Sequence, residues 1–214
     1  MPAGHEWFAN NITYKDIADM WVHEGFTDYS ESLFLEYHYS KKAGYDYVVG
    51  TRRNIGNKSP ITGSYGVNAS GSGDMYSKGA NMLHTLRQIV NDDEKWRNIL
   101  RGLNETFYHQ TVTSQQIENY LEKHSGLDLT AFFNQYLRDI RIPVLEYRFE
   151  GKQLWYRWGN CVEGFAMPVR VRLGNEWLAL QPSARWSKVE APAGGATLEL
   201  DADFYVTLRE ISGK

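Results

Sequence analysis

The sequence predicts an α+β fold in which a helical region precedes a small β-sandwich. Helix-forming residues with polar caps and spaced glycines extend from about Asp16 to Arg138. Pro143 follows, and proline cannot continue a helix because it lacks a backbone N–H. Beyond it, apolar and polar residues alternate as in half-buried strands. We therefore expect a helical domain over residues 1–142 and a β-sandwich over residues 143–214.

The composition of the 214 residues is that of a folded globular protein. Hydrophobic residues make up 42% and aromatic residues 14%, enough to offset the ordering entropy of the chain. The net charge of -3 gives no indication of nucleic-acid binding. No apolar run is long enough to span a membrane, and the first residues do not resemble a signal peptide. The single cysteine, Cys161, excludes an intrachain disulfide and a multi-cysteine zinc site.

The first helix is predicted between two local signals. Thr13 and Asp16 resemble a capping box, in which side chains accept hydrogen bonds from unpaired N–H groups. Good helix formers continue to Ala43, and Gly44 stands where a C-terminal cap is expected. Gly25 interrupts this run and is either a bend or a tolerated interior glycine.

Four further helices are predicted after a long irregular segment. Residues 50–73 are rich in glycine, asparagine and serine, which is typical of a functional or mobile loop. The predicted helices cover Met75 to Val90, Glu94 to His109, a run capped by Thr113 and Gln116 that ends near Gly126, and a run capped by Asp128 that ends at Arg138.

Alternating residues predict the strands of the last third. A hairpin is indicated by two alternating runs around Gly151. The predicted strands are Val144 to Phe149, Leu154 to Trp158, Met167 to Leu173, Glu176 to Leu180, Ala184 to Val189, Ala196 to Leu200 and Tyr205 to Ile211.

Aromatic residues are interpreted mainly as core. This applies to the set Tyr29, Phe34, Tyr37 and Tyr45 in the helical region. It also applies to Trp155, Tyr156, Trp158, Trp177 and Trp186 in the β region, for which sugar binding is the less favoured alternative. His84 and Arg87 are expected to make structural hydrogen bonds.

Two residues near the N-terminus are candidate zinc ligands. His5 and Glu24 are separated by eighteen residues, and a neutral imidazole and a carboxylate both bind zinc well. This spacing alone is weak evidence in a chain with several histidines and many glutamates. The alternative is a terminal histidine without a function and a solvated helix glutamate.

The residues around this pair form longer and more specific motifs. The chain reads His-Glu-Trp-Phe-Ala-Asn at residues 5–10 and Trp-Val-His-Glu-Gly-Phe at residues 21–26. It also reads Gly-Asp-Met-Tyr-Ser-Lys-Gly-Ala at residues 73–80, followed by Leu83, His84, Leu86 and Arg87. Over about residues 1–140 these motifs closely resemble the zinc aminopeptidases related to aminopeptidase N, which are gluzincin metallopeptidases. Those enzymes carry His-Glu-x-x-His and, eighteen residues later, a third zinc ligand, Glu.

The resemblance implies a role for three residues. His5 corresponds to the second zinc histidine and Glu24 to the third zinc ligand. Tyr76 corresponds to the tyrosine that donates a hydrogen bond to the oxyanion of the transition state. Asp28, one helical turn after Glu24, is either a carboxylate that orients a zinc ligand or an ordinary exposed helix residue. No residue is assigned to an organic cofactor.

Two parts of the family motif have no counterpart here. The first zinc histidine and the glutamate that acts as general base are expected at positions 1 and 2, which are Met1 and Pro2. The upstream substrate-binding loop, sheet and large β domain of the family are also not matched. The resemblance therefore implies the helical C-terminal half of a thermolysin-like catalytic domain and a following β domain, with weak zinc binding and little peptidase activity for these residues alone.

The function implied by the resemblance is zinc-dependent hydrolysis of N-terminal residues from peptides. The alternative is a non-catalytic binding or scaffold module, or a remnant of a peptidase gene. A peptide substrate is the expected partner of the complete enzyme. An apolar face left by the missing half would favour self-association or a complementing N-terminal half.

Overall fold

The computed structural model describes residues 2–191 and 197–212. Within them, the helices are α1 (Trp21–His38), α2 (Lys41–Gly50), α3 (Ser77–Val90), α4 (Asp93–Thr106), α5 (Ser114–Ser125) and α6 (Thr130–Leu137). The strands are β1 (Ile12–Tyr14), β2 (Gln110–Val112), β3 (Val144–Glu150), β4 (Gln153–Gly159), β5 (Val169–Leu173), β6 (Glu176–Leu180), β7 (Ser187–Glu190), β8 (Leu198–Leu200) and β9 (Thr207–Glu210). No helix among the described residues is long and apolar enough to cross a membrane.

The predicted α+β fold class is confirmed. In the helical region, β1 and β2 form a short parallel pair, and α1 packs against both α2 and α3. The β region has a four-stranded sheet in the order β7-β4-β3-β9 and a three-stranded sheet in the order β6-β5-β8. The predicted hairpin joins β3 to β4, and Gly151 adopts the positive φ of 60° that its turn requires.

The predicted first helix is wrong at both ends. Thr13 lies in β1, which pairs with residues 110–112, and its hydroxyl donates to the carbonyl of Ala9 rather than capping a helix. Asp16 caps only the short 3-10 segment Ile17–Asp19, by accepting from the N–H of Ala18. The helix then ends at His38, and the Ser40 side chain caps α2 by accepting from the N–H of Ala43.

Gly44 is not a C-terminal cap but an interior residue of α2. A Cβ atom at this position would lie 2.5 Å from the backbone oxygen of Ser32. The Ser32 hydroxyl also donates to the carbonyl of Gly44 over 2.8 Å. The glycine therefore permits close packing of α2 on α1. In the sequence, a glycine with this tertiary role cannot be distinguished from one that ends a helix.

The predicted cap of α5 is confirmed, and that of α6 is partly correct. Thr113 and Gln116 form a reciprocal capping box, and Gly126 ends α5 in the left-handed conformation with φ 74°. At α6 the N-cap position belongs to Leu129, while the Asp128 carboxylate accepts from the N–H of Thr130.

The irregular segment between α2 and α3 is packed against the helical region. After the 3-10 segment Thr51–Asn54, the N–H of Gly63 donates to the carbonyl of Ala18 over 2.8 Å. A Cβ atom on Gly71 would lie only 1.9 Å from the backbone oxygen of Ile61. The glycines that indicated a loop in the sequence thus permit close contacts between backbones.

The seven predicted strands correspond in order to β3 to β9 of the described residues, with shifted ends, whereas β1 and β2 were not predicted. The sixth predicted strand began at Ala196, which lies outside the described residues, and β8 begins at Leu198. The aromatic predictions are correct for Tyr29, Tyr156 and Trp158, which are buried. They are wrong for three members of the two sets, because Phe34 is 47% exposed, Tyr37 85% and Trp177 59%. The remaining members, Tyr45, Trp155 and Trp186, are partly buried.

The loop before β9 joins the β region to the helices. The N–H of Tyr205 donates to the Thr85 hydroxyl, and the Tyr136 hydroxyl donates to the carbonyl of Tyr205, each over 2.9 Å. His84 Nε2 lies 3.0 Å from Asp203 Oδ1. One hydrophobic core contains buried side chains from both regions, and the division at residues 142 and 143 stays a prediction.

Candidate functional site

His5 is oriented by contacts to one nitrogen of its ring. It lies in the short 3-10 segment Pro2–Glu6, and its Nδ1 is 3.3 Å from the carbonyl oxygen of Phe8. The Thr27 hydroxyl lies at the same distance from Nδ1. In the tautomer with its proton on Nδ1, this nitrogen donates to the carbonyl, which only accepts, and Nε2 keeps a lone pair. Zinc-binding histidines commonly use such a bond to direct the other nitrogen toward the metal.

Glu24 faces this nitrogen from the first turn of α1. Its Oε2 lies 3.5 Å from Nε2 of His5, and its side chain is only 11% exposed. The partial positive charge at a helix N-terminus favours a carboxylate at this position. Two atoms that bind one tetrahedral zinc ion lie about 3.4 Å apart, so the spacing of this pair fits a shared metal ion.

Tyr76 approaches Glu24 from the start of α3. Its side chain is 42% exposed, so the phenol borders the solvent-accessible side of the pair. Burial, the charge of Glu24 and a hydrogen bond with the Glu24 carboxylate all raise the pKa of the phenol. Like an ordinary phenol, this hydroxyl is protonated at neutral pH and can donate a hydrogen bond.

A contact between two glycines sets this geometry. Gly25 follows Glu24 in α1, and Gly79 lies three residues after Tyr76 in α3. A Cβ atom built on Gly79 would lie 2.8 Å from Cα of Gly25, and one on Gly25 would lie 3.2 Å from Cα of Gly79. The two helices therefore cross with their backbones in contact, which brings Glu24 and Tyr76 together. Gly25 is a tolerated interior glycine because of this crossing.

Lys78 anchors the start of α3. Its side chain is fully buried, and its Nζ donates to the carbonyl of Asp139 over 2.8 Å. Burial lowers the pKa of this ammonium to about 8. The lysine of the Tyr-x-Lys-Gly motif thus ties α3 to the segment after α6 and holds Tyr76 in place.

His23 is not available as a further ligand through Nε2. This nitrogen accepts from the backbone N–H of Tyr14 over 2.9 Å. Burial and the nearby His5 lower the pKa of His23 to about 4, so the ring is neutral at physiological pH. Its hydrogen bond fastens β1 to α1.

Asp19 is a structural residue that the sequence analysis missed. It is buried, and its Oδ2 accepts from the N–H of Ser114 over 2.7 Å and from the hydroxyl of Tyr65. It therefore links the start of α1 to α5 and to the irregular segment. An aspartate just before a helix of aromatic residues was the available signal, but its partners are too distant in sequence to identify.

The described residues supply two of the metal-binding groups that the resemblance implies. No cluster of three or more His, Cys, Asp or Glu side chains suited to a metal ion occurs within residues 2–191 and 197–212. Met1, one of the two positions where the first histidine and the base were expected, lies outside that range. The donor chemistry and spacing of His5 and Glu24 still fit zinc as one part of a coordination shell.

Asp28 makes no orienting contact within the described residues. Its Oδ2 is buried without a hydrogen-bond partner there. Burial, together with the charges of Glu31 and Glu24, raises the pKa of Asp28 to about 6. The interpretation as an ordinary exposed residue is wrong, since this carboxyl is partly desolvated, and a role in orienting a ligand stays a prediction.

We expect Asp28→Asn to stabilise the protein at pH 7.5 but not at pH 4. The folded pKa of about 6 lies above the ordinary 3.8, so this group favours folding at low pH. The wild-type protein therefore loses about 1–2 kcal/mol of unfolding free energy as pH rises from about 4 to 6. The uncharged amide of the variant does not titrate, so the variant avoids this loss. Urea unfolding at the two pH values measures the difference. Asp46→Asn, at a well-exposed side chain, is the control and should change stability little at either pH.

Comparisons with known proteins show what the chain is similar to. Aminopeptidase N of Lactococcus lactis subsp. lactis is 24% identical over 155 residues, which cover 66% of this chain and 18% of that protein. The crystal structure of Legionella pneumophila aminopeptidase A in complex with aspartic acid matches with a TM-score of 0.71 at 16% identity. That match covers 98% of this chain and 26% of the Legionella chain and shows likeness of fold.

A family model gives the assignment. The model described as the peptidase family M1 domain matches residues 3–136, which is well over half of the chain. These residues include His5, Glu24 and Tyr76 and every described helix except the last residue of α6. The chain spans only about a quarter or less of the length of the two relatives above. On this match the protein belongs to peptidase family M1, and its resemblance to aminopeptidases related to aminopeptidase N is confirmed.

Proposed function

We propose that this chain contributes part of a zinc aminopeptidase site that removes N-terminal residues from peptides. Family M1 aminopeptidases are zinc enzymes, and peptide substrates follow from the family. His5 Nε2 and the Glu24 carboxylate are the proposed zinc ligands, and Tyr76 is the proposed hydrogen-bond donor. The single observation that carries the proposal is the 3.5 Å approach of Nε2 to Oε2.

Each side chain has a defined task in this proposal. His5 presents the lone pair of Nε2 because Nδ1 is committed to the carbonyl of Phe8. Glu24 supplies negative charge next to it. Tyr76 is positioned to direct its hydroxyl at negative charge developing on a substrate carbonyl. The chemistry that a bound zinc ion supplies is polarisation of a peptide carbonyl and a lower pKa for water.

A partner segment is part of the proposal. Catalytic zinc sites use three protein ligands, and a general base must lie against the attacking water. His5, Glu24 and Tyr76 account for two ligands and an oxyanion donor. We propose that a further histidine and a base come from a complementing polypeptide segment. The 214 residues alone should then bind zinc weakly.

Zinc titration tests the two ligands directly. We expect the wild-type chain to bind zinc weakly. The zinc affinity of the His5→Ala and Glu24→Gln variants should be at least about tenfold lower than that of wild type. His38→Ala is the matched control, because His38 is exposed at the other end of α1 and should not change the affinity. Competition with a chromophoric chelator gives the dissociation constants. Equal affinity in all four proteins would exclude the proposed ligands, and near-stoichiometric zinc after dialysis against metal-free buffer would show that a third ligand exists.

Hydrolysis of aminoacyl arylamides tests the second part of the proposal. We expect no measurable turnover by these residues alone, with or without added zinc, because two ligands and no base cannot activate water. The assay compares wild type with Tyr76→Phe, which removes only the phenolic hydroxyl. Turnover that is zinc-dependent and lost in Tyr76→Phe would mean that the chain is a complete enzyme. Turnover that persists in Tyr76→Phe and without zinc would indicate a contaminating peptidase.

A further inference from the structure

A groove of about 360 Å³ lies beside the N-terminal segment, between the residues that follow His5 and the end of α4. Two aromatic side chains line it, Trp7 and Tyr108, and they are 55% and 67% exposed. Two carboxylates line it as well, Glu6 and Glu105, and both are exposed. We refer to it as the Trp7 groove. None of its described lining residues is a lysine or an arginine.

The walls of the Trp7 groove are tied together by polar contacts. Asn11 Nδ2 donates to Oδ1 of Asn104 over 3.2 Å, and the N–H of His109 donates to Oδ1 of Asn11 over 2.9 Å. The parallel pairing of β1 with β2 begins directly behind these contacts. His109 adopts a left-handed φ of 51°, and its ring lies 4.2 Å from that of Tyr108. The aromatic rings are therefore presented from a connected backbone and not from a free terminus.

The chemistry of the lining selects a cation. Carboxylates attract positive charge, and the faces of tryptophan and tyrosine rings bind ammonium or guanidinium groups through their quadrupoles. An anionic ligand would meet two negative charges with no compensating cation on the groove wall. An uncharged apolar ligand would gain no attraction from the two carboxylates.

We propose that the Trp7 groove binds a lysine or arginine side chain of a partner polypeptide. A site for a free small molecule usually encloses most of its ligand. Here both rings remain more than half exposed, so a small cation would bury little surface. A side chain carried by a polypeptide gains additional contacts along the groove rim. The net charge of -3 on the chain favours the approach of a basic partner.

NMR titration with a short peptide tests this proposal on the whole chain. The probe is a nine-residue Gly/Ser peptide with one central arginine, and its matched control has citrulline, which has nearly the same shape without the charge. We expect saturable shifts of the Trp7 indole N–H with the arginine peptide only. Glu6→Gln/Glu105→Gln should weaken binding about fivefold, Trp7→Ala should do at least as much, and added salt should also weaken it.

Trp177→Ala is the control variant, because Trp177 is similarly exposed, at 59%, but lies in β6. Its affinity for the arginine peptide should equal that of wild type. Melting temperatures of the Glu6→Gln/Glu105→Gln protein, whose changes are confined to exposed side chains, separate lost binding from lost folding. Equal binding of the citrulline peptide, or unchanged affinity in the double variant, would overturn the proposal. If methylguanidinium binds as tightly as the peptide, the groove binds a free small cation and the proposal of a polypeptide partner is wrong.

Discussion

Gly79→Ala is expected to lower the free energy of unfolding by about 2–3 kcal/mol, as typical of overpacked interiors. The added Cβ would lie 2.8 Å from Cα of Gly25. This neighbour is backbone, so it cannot rotate away like the end of a long side chain. The helices α1 and α3 must separate, which disturbs the packing of both. Alanine's higher helix propensity, worth up to about 1 kcal/mol, offsets only part of the cost.

Thermal or urea unfolding measures this effect, and Gly50→Ala is the matched control. Gly50 is also a helix glycine, with a φ of -61°, but a Cβ there would meet no atom within 4 Å. We expect that control to be neutral or slightly stabilising. Equal stability of the Gly79→Ala and Gly50→Ala proteins would contradict the glycine crossing.

Arg87→Met is expected to cost about 2–3 kcal/mol of stability, because it removes a buried guanidinium that pairs with the partly buried Glu36 and the exposed Asp93. Arg87 is 5% exposed and lies in α3. Its two terminal nitrogens donate to the Glu36 carboxylate over 2.6 and 2.9 Å, and its Nε donates to Asp93 over 2.9 Å. The guanidinium also lies 5.0 Å from the centre of the Tyr45 ring. One side chain thus connects α3 to α1, α2 and α4.

The matched control is Arg97→Met, on the exposed surface of α4. Exposed arginines contribute little, so its unfolding free energy should stay within about 0.5 kcal/mol of wild type. Arg87→Lys should be intermediate, since a lysine keeps the charge but cannot form the two parallel bonds to Glu36. Chemical unfolding of the three variants gives the comparison. An Arg87→Met protein as stable as the Arg97→Met protein would show that the network is not stabilising.

The structural role inferred for Arg87 and His84 agrees with their contacts. Arg87 pairs with Glu36 and Asp93, and His84 with Asp203, and both side chains are buried. His84 and Arg87 lie on α3 about two and three turns beyond Tyr76. Structural roles were the better interpretation because most polar side-chain contacts are structural. Their partners could not be named from the sequence, since Asp203 lies more than a hundred residues away.

Local signals in the sequence succeeded where short-range chemistry dominates. The capping box of Thr113 and Gln116 and the turn at Gly151 depend on residues within a few positions of each other, and both were predicted correctly. The change from helices to strands was expected at Pro143, and it falls between the end of α6 at Leu137 and the start of β3 at Val144. The family motifs around His5, Glu24 and Tyr76 are likewise contiguous in sequence, which is why the resemblance was specific.

Tertiary contacts account for the errors. Residues near Thr13 form a strand because residues 110–112 are available to pair with them, and no local pattern announces a partner so far away. Gly44 resembled a cap because the close approach of Ser32 is invisible in the sequence. Phe34 and Tyr37 were expected in the core, but both side chains are exposed, on a part of the α1 surface that no other described element covers.

The α+β class, the order of strands β3 to β9 and the candidate residues could be derived from the sequence, since they depend on local propensity, short spacings and contiguous motifs. The 3.5 Å approach of His5 to Glu24 could not, because it depends on how a 3-10 segment docks on α1. The proximity of Tyr76 depends on two glycines that let α1 and α3 touch. Distances between elements are set by packing of side chains from remote parts of the chain, and that information appears only when the chain is folded.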